Sequence, residues 1–244
     1  MARRRQRRRA FPVGWLIAVV ALAVGGWLGW LWLKANPEHN PWAPLALNAP
    51  VGWATGQKLA DLAQDGAACR GLLAASGVDY APLPRVGSEQ CLAPDRTRFA
   101  DNVTPGLVLR PAGVAPSCAV GTAMILWMRE AVQPAAQRHF GQRVMRMEHL
   151  GSYNCRTIRG GGTISQHASG NAIDIAAFVL ADGTRVTLKR DWEGNGARAA
   201  FLHDARDGAC DLFSTTLSPD YNAAHADHFH FDMAARTGGW SVCR

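Results

Sequence analysis

Ser165-Gln166-His167-Ala168-Ser169-Gly170-Asn171-Ala172-Ile173-Asp174 sets an aspartate seven residues after a histidine, and His225-Ala226-Asp227-His228-Phe229-His230 follows well downstream. A histidine, an aspartate and a distant histidine-rich segment can close together on one divalent metal. Two neutral imidazoles and one carboxylate are the donors zinc takes in catalytic sites, where a fourth position stays open for water. Taken singly, such a histidine or aspartate reads as packing or pairing. Four of the eight histidines fall in these two short motifs, and their clustering favours metal chemistry. His39, His139, His149 and His203 lie outside the motifs and read as structural.

These side chains need strands to aim them. Alternate residues of a strand share a face. Over Ala172–Leu180, Ile173 and Ile175 therefore pack inward, while Asp174 faces the other way between Ala172 and Ala176. On a strand over Phe229–Met233, His230 and Asp232 share a face with His228 just ahead, and Phe229 and Phe231 fill the core. His167 belongs to the loop before the first strand, Gly170 supplies the turn into it, and Ser165 can fix the loop by a local hydrogen bond.

The remaining pattern is mixed. Thr55–Leu73 has helical apolar spacing. Ser117 after Pro116 reads as the N-cap of a helix running to about Phe140. Val120, Met124, Trp127, Met128 and Ala131 form one buried stripe on it, and Pro134 should kink or restart it. Val144–Met147 reads as a short strand, Gly160-Gly161-Gly162 as a loop, and Asp182-Gly183 as the turn of a hairpin leading into Thr184–Leu188. A helix follows over Ala197–Arg206. The expected class is α+β, an antiparallel sheet with flanking helices.

The formal charge is +7, and Arg3, Arg4, Arg5, Arg7, Arg8 and Arg9 supply six of those charges, so only +1 is left for the rest. A nucleic-acid binder carries its basic excess on the folded domain, and that class is excluded here. From Phe11 to Leu33 no charged residue occurs. Twenty-three residues are enough to cross a hydrocarbon core of about 30 Å. The arginines hold residues 1–10 in the cytoplasm. Residues 11–33 are then a single-pass inner-membrane anchor that delivers the C-terminal part to the periplasm. Residues 34–50, with four prolines, read as a stiff extended linker. Residues 51–115 form a weakly patterned first section, and 116–244 the domain that carries the motifs. The six cysteines all follow the anchor, in a compartment where disulfides persist. Cys69 and Cys91 are expected to staple the first section.

The fixed positions Ser165, His167, Gly170, Ala172 and Asp174, followed by His228-x-His230, resemble the signature of zinc peptidases of the bacterial cell wall. These are the D-alanyl-D-alanine carboxypeptidases and dipeptidases, the murein endopeptidases and the lysostaphin-type enzymes. The wider stretch from Gly151-Ser-Tyr-Asn-Cys-Arg156 to Cys243 is more closely similar to the bacterial extensin-like C-terminal domain family. The resemblance implies that His167, Asp174 and His230 bind Zn2+. It leaves the general base open among His228, Asp227 and His225, with His228 preferred because aspartate reaches less far than the usual glutamate. It also implies an oxyanion-stabilising cation near the site, for which Arg156 is the candidate. The expected activity is zinc-dependent hydrolysis of peptidoglycan stem peptides or cross-links. The competing reading is a non-catalytic, zinc-containing cell-wall binding module.

Overall fold

The computed structural model describes residues 13–101, 108–158, 161–236 and 240–244. The arginine-rich tail expected over 1–10, Phe11 and Pro12 of the expected anchor, and Gly160 of the glycine loop lie outside them. Helix α1 (Val13–Ala35) is long and apolar enough to cross a membrane and buries none of its residues against the protein. After it come α2 (Thr55–Leu62) and α3 (Gly66–Ala75), two helices where the sequence suggests one. The break at Ala63–Asp65 reuses Asp65 as an N-cap, its carboxylate accepting from the Ala68 amide at 2.9 Å. Strands β1 (Tyr80–Leu83) and β2 (Arg96–Phe99) pair as a small antiparallel sheet, and β3 (Leu109–Arg110) joins the main one.

Helix α4 (Cys118–Trp127) starts at Ser117, whose Oγ accepts from the Val120 amide as expected of an N-cap. All ten of its residues are buried, which corrects the single stripe expected from periodicity. Cys118 faces α3, and Trp127 lies against the sheet side chains Phe178 and Phe231 at ring separations of 5.8 and 4.9 Å. With both sides covered, the helix has no wet face. Trp127 also donates its indole N–H to the Ala205 carbonyl at 2.7 Å. Burial of an aromatic of this size contributes at most about 4–6 kcal/mol.

Pro134 does not stop the helix; a π turn over Met128–Val132 runs straight into α5 (Gln133–Phe140). A proline ring clashes with the carbonyl four residues back, here that of Glu130. The Gln133 amide reaches Met128, five residues back, so the wider turn takes up the strain.

The main sheet is completed by β4 (Val144–Gly151), β5 (Ala172–Leu180) and β6 (Arg185–Thr187), then, after α6 (Leu188–Asp191) and α7 (Ala197–Cys210), by β7 (Thr215–Leu217), β8 (Phe229–Asp232) and β9 (Val242–Cys243). Its order is β3-β4-β5-β8-β7-β9, with β6 also paired to β5. The centre is antiparallel, but β3 and β9 run parallel to their neighbours, so the sheet is mixed rather than purely antiparallel. Ile173, Ile175, Phe229 and Phe231 join one core with α4 and α7. Leu47, Leu59 and Leu73 belong to that same core.

The disulfides are Cys69–Cys118, Cys91–Cys155 and Cys210–Cys243, not the expected Cys69–Cys91. Cys69 is fully buried on α3 and faces the start of α4, with Cα atoms 6.1 Å apart. Cys91 instead sits over the loop after β4. Tertiary packing, not proximity in the chain, decides the partners.

Candidate metal centre

The register of two strands builds the site. Asp174 on β5 stands directly opposite His230 on β8, and cross-strand neighbours on one face bring their Cβ atoms within about 4.5–5.5 Å. His167 comes from a short 3-10 turn, Gln166–Ser169. Ser165 caps that turn through its Oγ, which accepts from the His167 amide at 3.3 Å. Gly170 closes it at φ +69°, a conformation that favours glycine. Its carbonyl is held by the Ser117 amide at 2.8 Å, tying the turn to the start of α4. The Asn154 amide reaches the His167 carbonyl at 2.9 Å, and the Cys91–Cys155 bridge pins the same loop.

Three donor atoms then converge. His167 Nε2 lies 3.1 Å from Asp174 Oδ1 and 3.1 Å from His230 Nδ1, and His230 Nδ1 lies 3.0 Å from Asp174 Oδ1. All three residues are buried, and they form a group able to hold a metal ion. The opposite nitrogen of each imidazole is already committed. His167 Nδ1 sits 2.6 Å from the Ser152 carbonyl, and His230 Nε2 sits 3.0 Å from Asp232 Oδ2. Both acceptors take an N–H, which leaves Nε2 of His167 and Nδ1 of His230 as inward lone pairs facing a carboxylate oxygen. Two lone pairs and an anion at hydrogen-bond distance have no donor between them; a cation or extra protons must fill that role. Four-coordinate zinc, with bonds of about 2.0–2.2 Å, separates its ligands by a little over 3 Å. The triangle is close to that size, so these residues fit the ion.

The electrostatics carry the same demand. Burial raises the Asp174 carboxyl, but the facing imidazoles of His167 and His230, which donate to it when they carry an extra proton, overcome that and hold the group far below its ordinary range. Burial alone would discharge His230; the carboxylates of Asp174 and Asp232 instead raise it to about 9. Without a metal, a proton on His230 substitutes for the missing positive charge.

His228 stands beside this cluster, with Nε2 3.8 Å from Asp174 Oδ1. Its Nδ1 is 2.8 Å from Asp227 Oδ1, so Nδ1–H donates to that carboxylate and Nε2 presents a lone pair toward the site. Asp227, half-exposed, sits behind His228 as its orienting partner. His225 packs its ring 5.2 Å from His228 and 5.9 Å from His230, and is braced by Asn222 at 2.8 Å and the Tyr221 ring. Burial first, and then the neighbouring charges of His228, His230 and Arg156, lower His225 to about 4. Arg156 is exposed at the rim, its carbonyl accepting from the Ser165 amide at 3.1 Å.

All seven residues singled out from the sequence thus gather in one region. Sequence reasoning missed the clamps on the outer nitrogens. Asp232 had a signal in its alternation with His230, whereas the Ser152 carbonyl, a main-chain atom, had none. The four remaining histidines lie elsewhere: His149 contacts the Pro111 carbonyl, His139 contacts Asp204, His203 stacks on Trp192, and His39 stacks on Trp32 and Trp53.

Residues 67–244 match the family described as extensin-like protein C-terminus. No curated protein and no solved structure matches the chain.

Proposed function

Taking as premise that this chain belongs to the extensin-like protein C-terminus family, we propose that it is a zinc-dependent hydrolase of peptidoglycan peptides. Helix α1 would hold it in the inner membrane with the remainder in the periplasm. The observation that carries this reading is the pairing of an inward-facing His–Asp–His donor set with an Asp227–His228 dyad aimed at it. A purely structural metal needs no oriented base, so the dyad favours an enzyme over a binding module. The motif-level resemblance to cell-wall zinc peptidases supplies the substrate class and is part of the proposal.

His167, Asp174 and His230 would hold the ion, and Ser152 and Asp232 would keep the two imidazoles in the coordinating tautomer. Bound zinc supplies Lewis acidity and brings the pKa of water to about 7. His228 Nε2 takes the proton of the attacking water and passes it to the leaving amine, so one amide and one water become a carboxylic acid and an amine. Asp227 keeps the Nδ1 proton in place and stabilises the imidazolium formed in between. Arg156 offers a cation at the rim for a substrate carboxylate or for the negative charge that develops on the scissile carbonyl.

The test is incubation of the full chain, in detergent and loaded with zinc, with purified sacculi. Mass analysis of the released muropeptides names the bond that is cut. His228→Ala should retain zinc and lose about 10²–10⁴-fold in rate, whereas His230→Ala should lose the metal as well. Zinc bound without release from any cell-wall substrate would refute the hydrolase and leave the binding module standing.

A further inference from the structure

The proline-rich stretch after α1 is fastened along its length. Lys58 Nζ donates to the Pro37 carbonyl at 2.6 Å, the Ala54 amide to Glu38 at 3.3 Å, and the Trp53 amide to His39 Nδ1 at 3.3 Å. Arg129 reaches the carbonyls of Leu47 and Ala49, the latter at 2.7 Å. Leu47 is buried in the core. At Gly52 a Cβ would stand 2.5 Å from the Glu38 carbonyl oxygen, so only glycine permits that approach. Segment 36–50 therefore has no slack to let out.

Three aromatic rings cross the junction. Trp32, in the last turns of α1, stacks on His39 at 5.3 Å, and His39 stacks on Trp53 at 6.0 Å. Trp53 is 64% exposed and lines a cleft with Trp240, itself 57% exposed. The Arg236 guanidinium lies over the Trp240 ring at 4.7 Å. Soluble surfaces rarely present several bare indoles together, whereas tryptophan is the side chain that bilayer interfaces collect. The headgroup layer is about 5–8 Å thick on each side, so two stacking steps of 5.3 and 6.0 Å are enough to span it from a Trp32 at its inner boundary to Trp53 at its outer face.

We propose that the folded domain lies directly on the phospholipid headgroup layer, with Trp53 and Trp240 in contact with it and segment 36–50 acting as a clamp. The occupant of this face is the bilayer that α1 enters, because the surface is continuous with the end of that helix. Arg236 and Lys34 stand where lipid phosphates would meet them. The inference rests on α1 being a membrane span and not on the metal chemistry.

The experiment uses full-length protein carrying 5-fluorotryptophan in nanodiscs of phosphatidylcholine and phosphatidylglycerol, with and without headgroup-spin-labelled lipid. The nine tryptophans are assigned by single Trp→Phe variants. The expected result is loss of the Trp32, Trp53 and Trp240 fluorine signals, while the core residues Trp127 and Trp192 keep theirs. Inserting twenty Gly/Ser residues between Ala35 and Asn36 should bring back Trp53 and Trp240 alone. Loss at Trp32 with Trp53 or Trp240 still sharp would overturn the proposal while leaving the anchor intact. Sharp signals throughout α1 would overturn the anchor itself. Persistence of the Trp53 and Trp240 losses after the insertion would refute the clamp.

Discussion

Asp232→Asn isolates the support of the candidate metal centre from its proposed ligands. In the native protein one carboxylate does two jobs: Oδ2 faces His230 Nε2 at 3.0 Å, and Oδ1 accepts from the Ala234 amide at 2.9 Å. Asparagine has a single acceptor oxygen. Turned toward His230 it leaves Ala234 unpaired, and turned toward Ala234 it points an NH2 at the imidazole N–H. Either way a charge-assisted bond worth about 1.5–3 kcal/mol becomes a neutral or broken one. Outer-shell partners of ligating histidines typically carry 10–100-fold of metal affinity, or about 1.4–2.7 kcal/mol. Zinc competition against a chromophoric chelator at neutral pH should therefore show affinity weakened about 10–100-fold in D232N, with one ion still bound per chain. Asp174→Ala, which removes the oxygen donor outright, should lose far more. Affinity in D232N equal to the native value, or absence of zinc binding by the native chain, would refute the assigned roles.

The metal-free protein should be most stable near pH 6.5. His230, raised from 6.5 to about 9, contributes fully below 6.5 and loses that contribution as pH climbs through 9. His225, lowered from 6.5 to about 4, contributes fully above 6.5 and loses it as pH falls toward 4, and Asp174 acts in the same direction in stronger acid. Urea midpoints in chelator at about pH 4.5, 6.5 and 9 check this, and a monotonic trend would contradict it. Replacing Cys69 and Cys118 together by alanine opens a link between residues 49 apart. The chain-entropy argument expects a loss of about 4 kcal/mol, read from equilibrium denaturation. Gly208→Ala would place a Cβ 2.2 Å from that of Ala131, where α7 crosses the π turn. Crowding of about 1–3 kcal/mol should outweigh the helix-propensity gain of up to about 1 kcal/mol, so the variant should melt lower; a higher melting temperature would mean the helices can part.

The candidate donors were legible because their chemistry is local. His167, Gly170 and Asp174 lie within one turn and the strand that follows it, and the alternation of Phe229 and Phe231 with His230 separates core from site without reference to any other element. Helix starts and the Asp182-Gly183 hairpin were legible for the same reason: caps and tight turns are settled by residues a few positions apart. The N-terminal apolar run gave α1 from length and hydropathy.

Contacts between residues distant in the chain were not. The pairing of Cys69 with Cys118, the complete burial of α4 and the parallel edges of the sheet depend on what packs where, which no spacing encodes. Within the site, the sequence left the base open among Asp227, His228 and His225, with His228 preferred only on the shorter reach of aspartate. The folded chain separates them by orientation: Asp227 backs the outer nitrogen of His228, His225 is braced by Asn222 and Tyr221, and His228 Nε2 faces the cluster. Likewise, prolines in 34–50 announce a stiff segment, but whether it stands away from the domain depends on the carbonyls that Lys58 and Arg129 reach. Residue types and short spacings determined which groups could bind a cation. Strand register and the acceptors on the far side of each imidazole decided that their lone pairs point at one place, because a side chain's direction is set by everything packed around it.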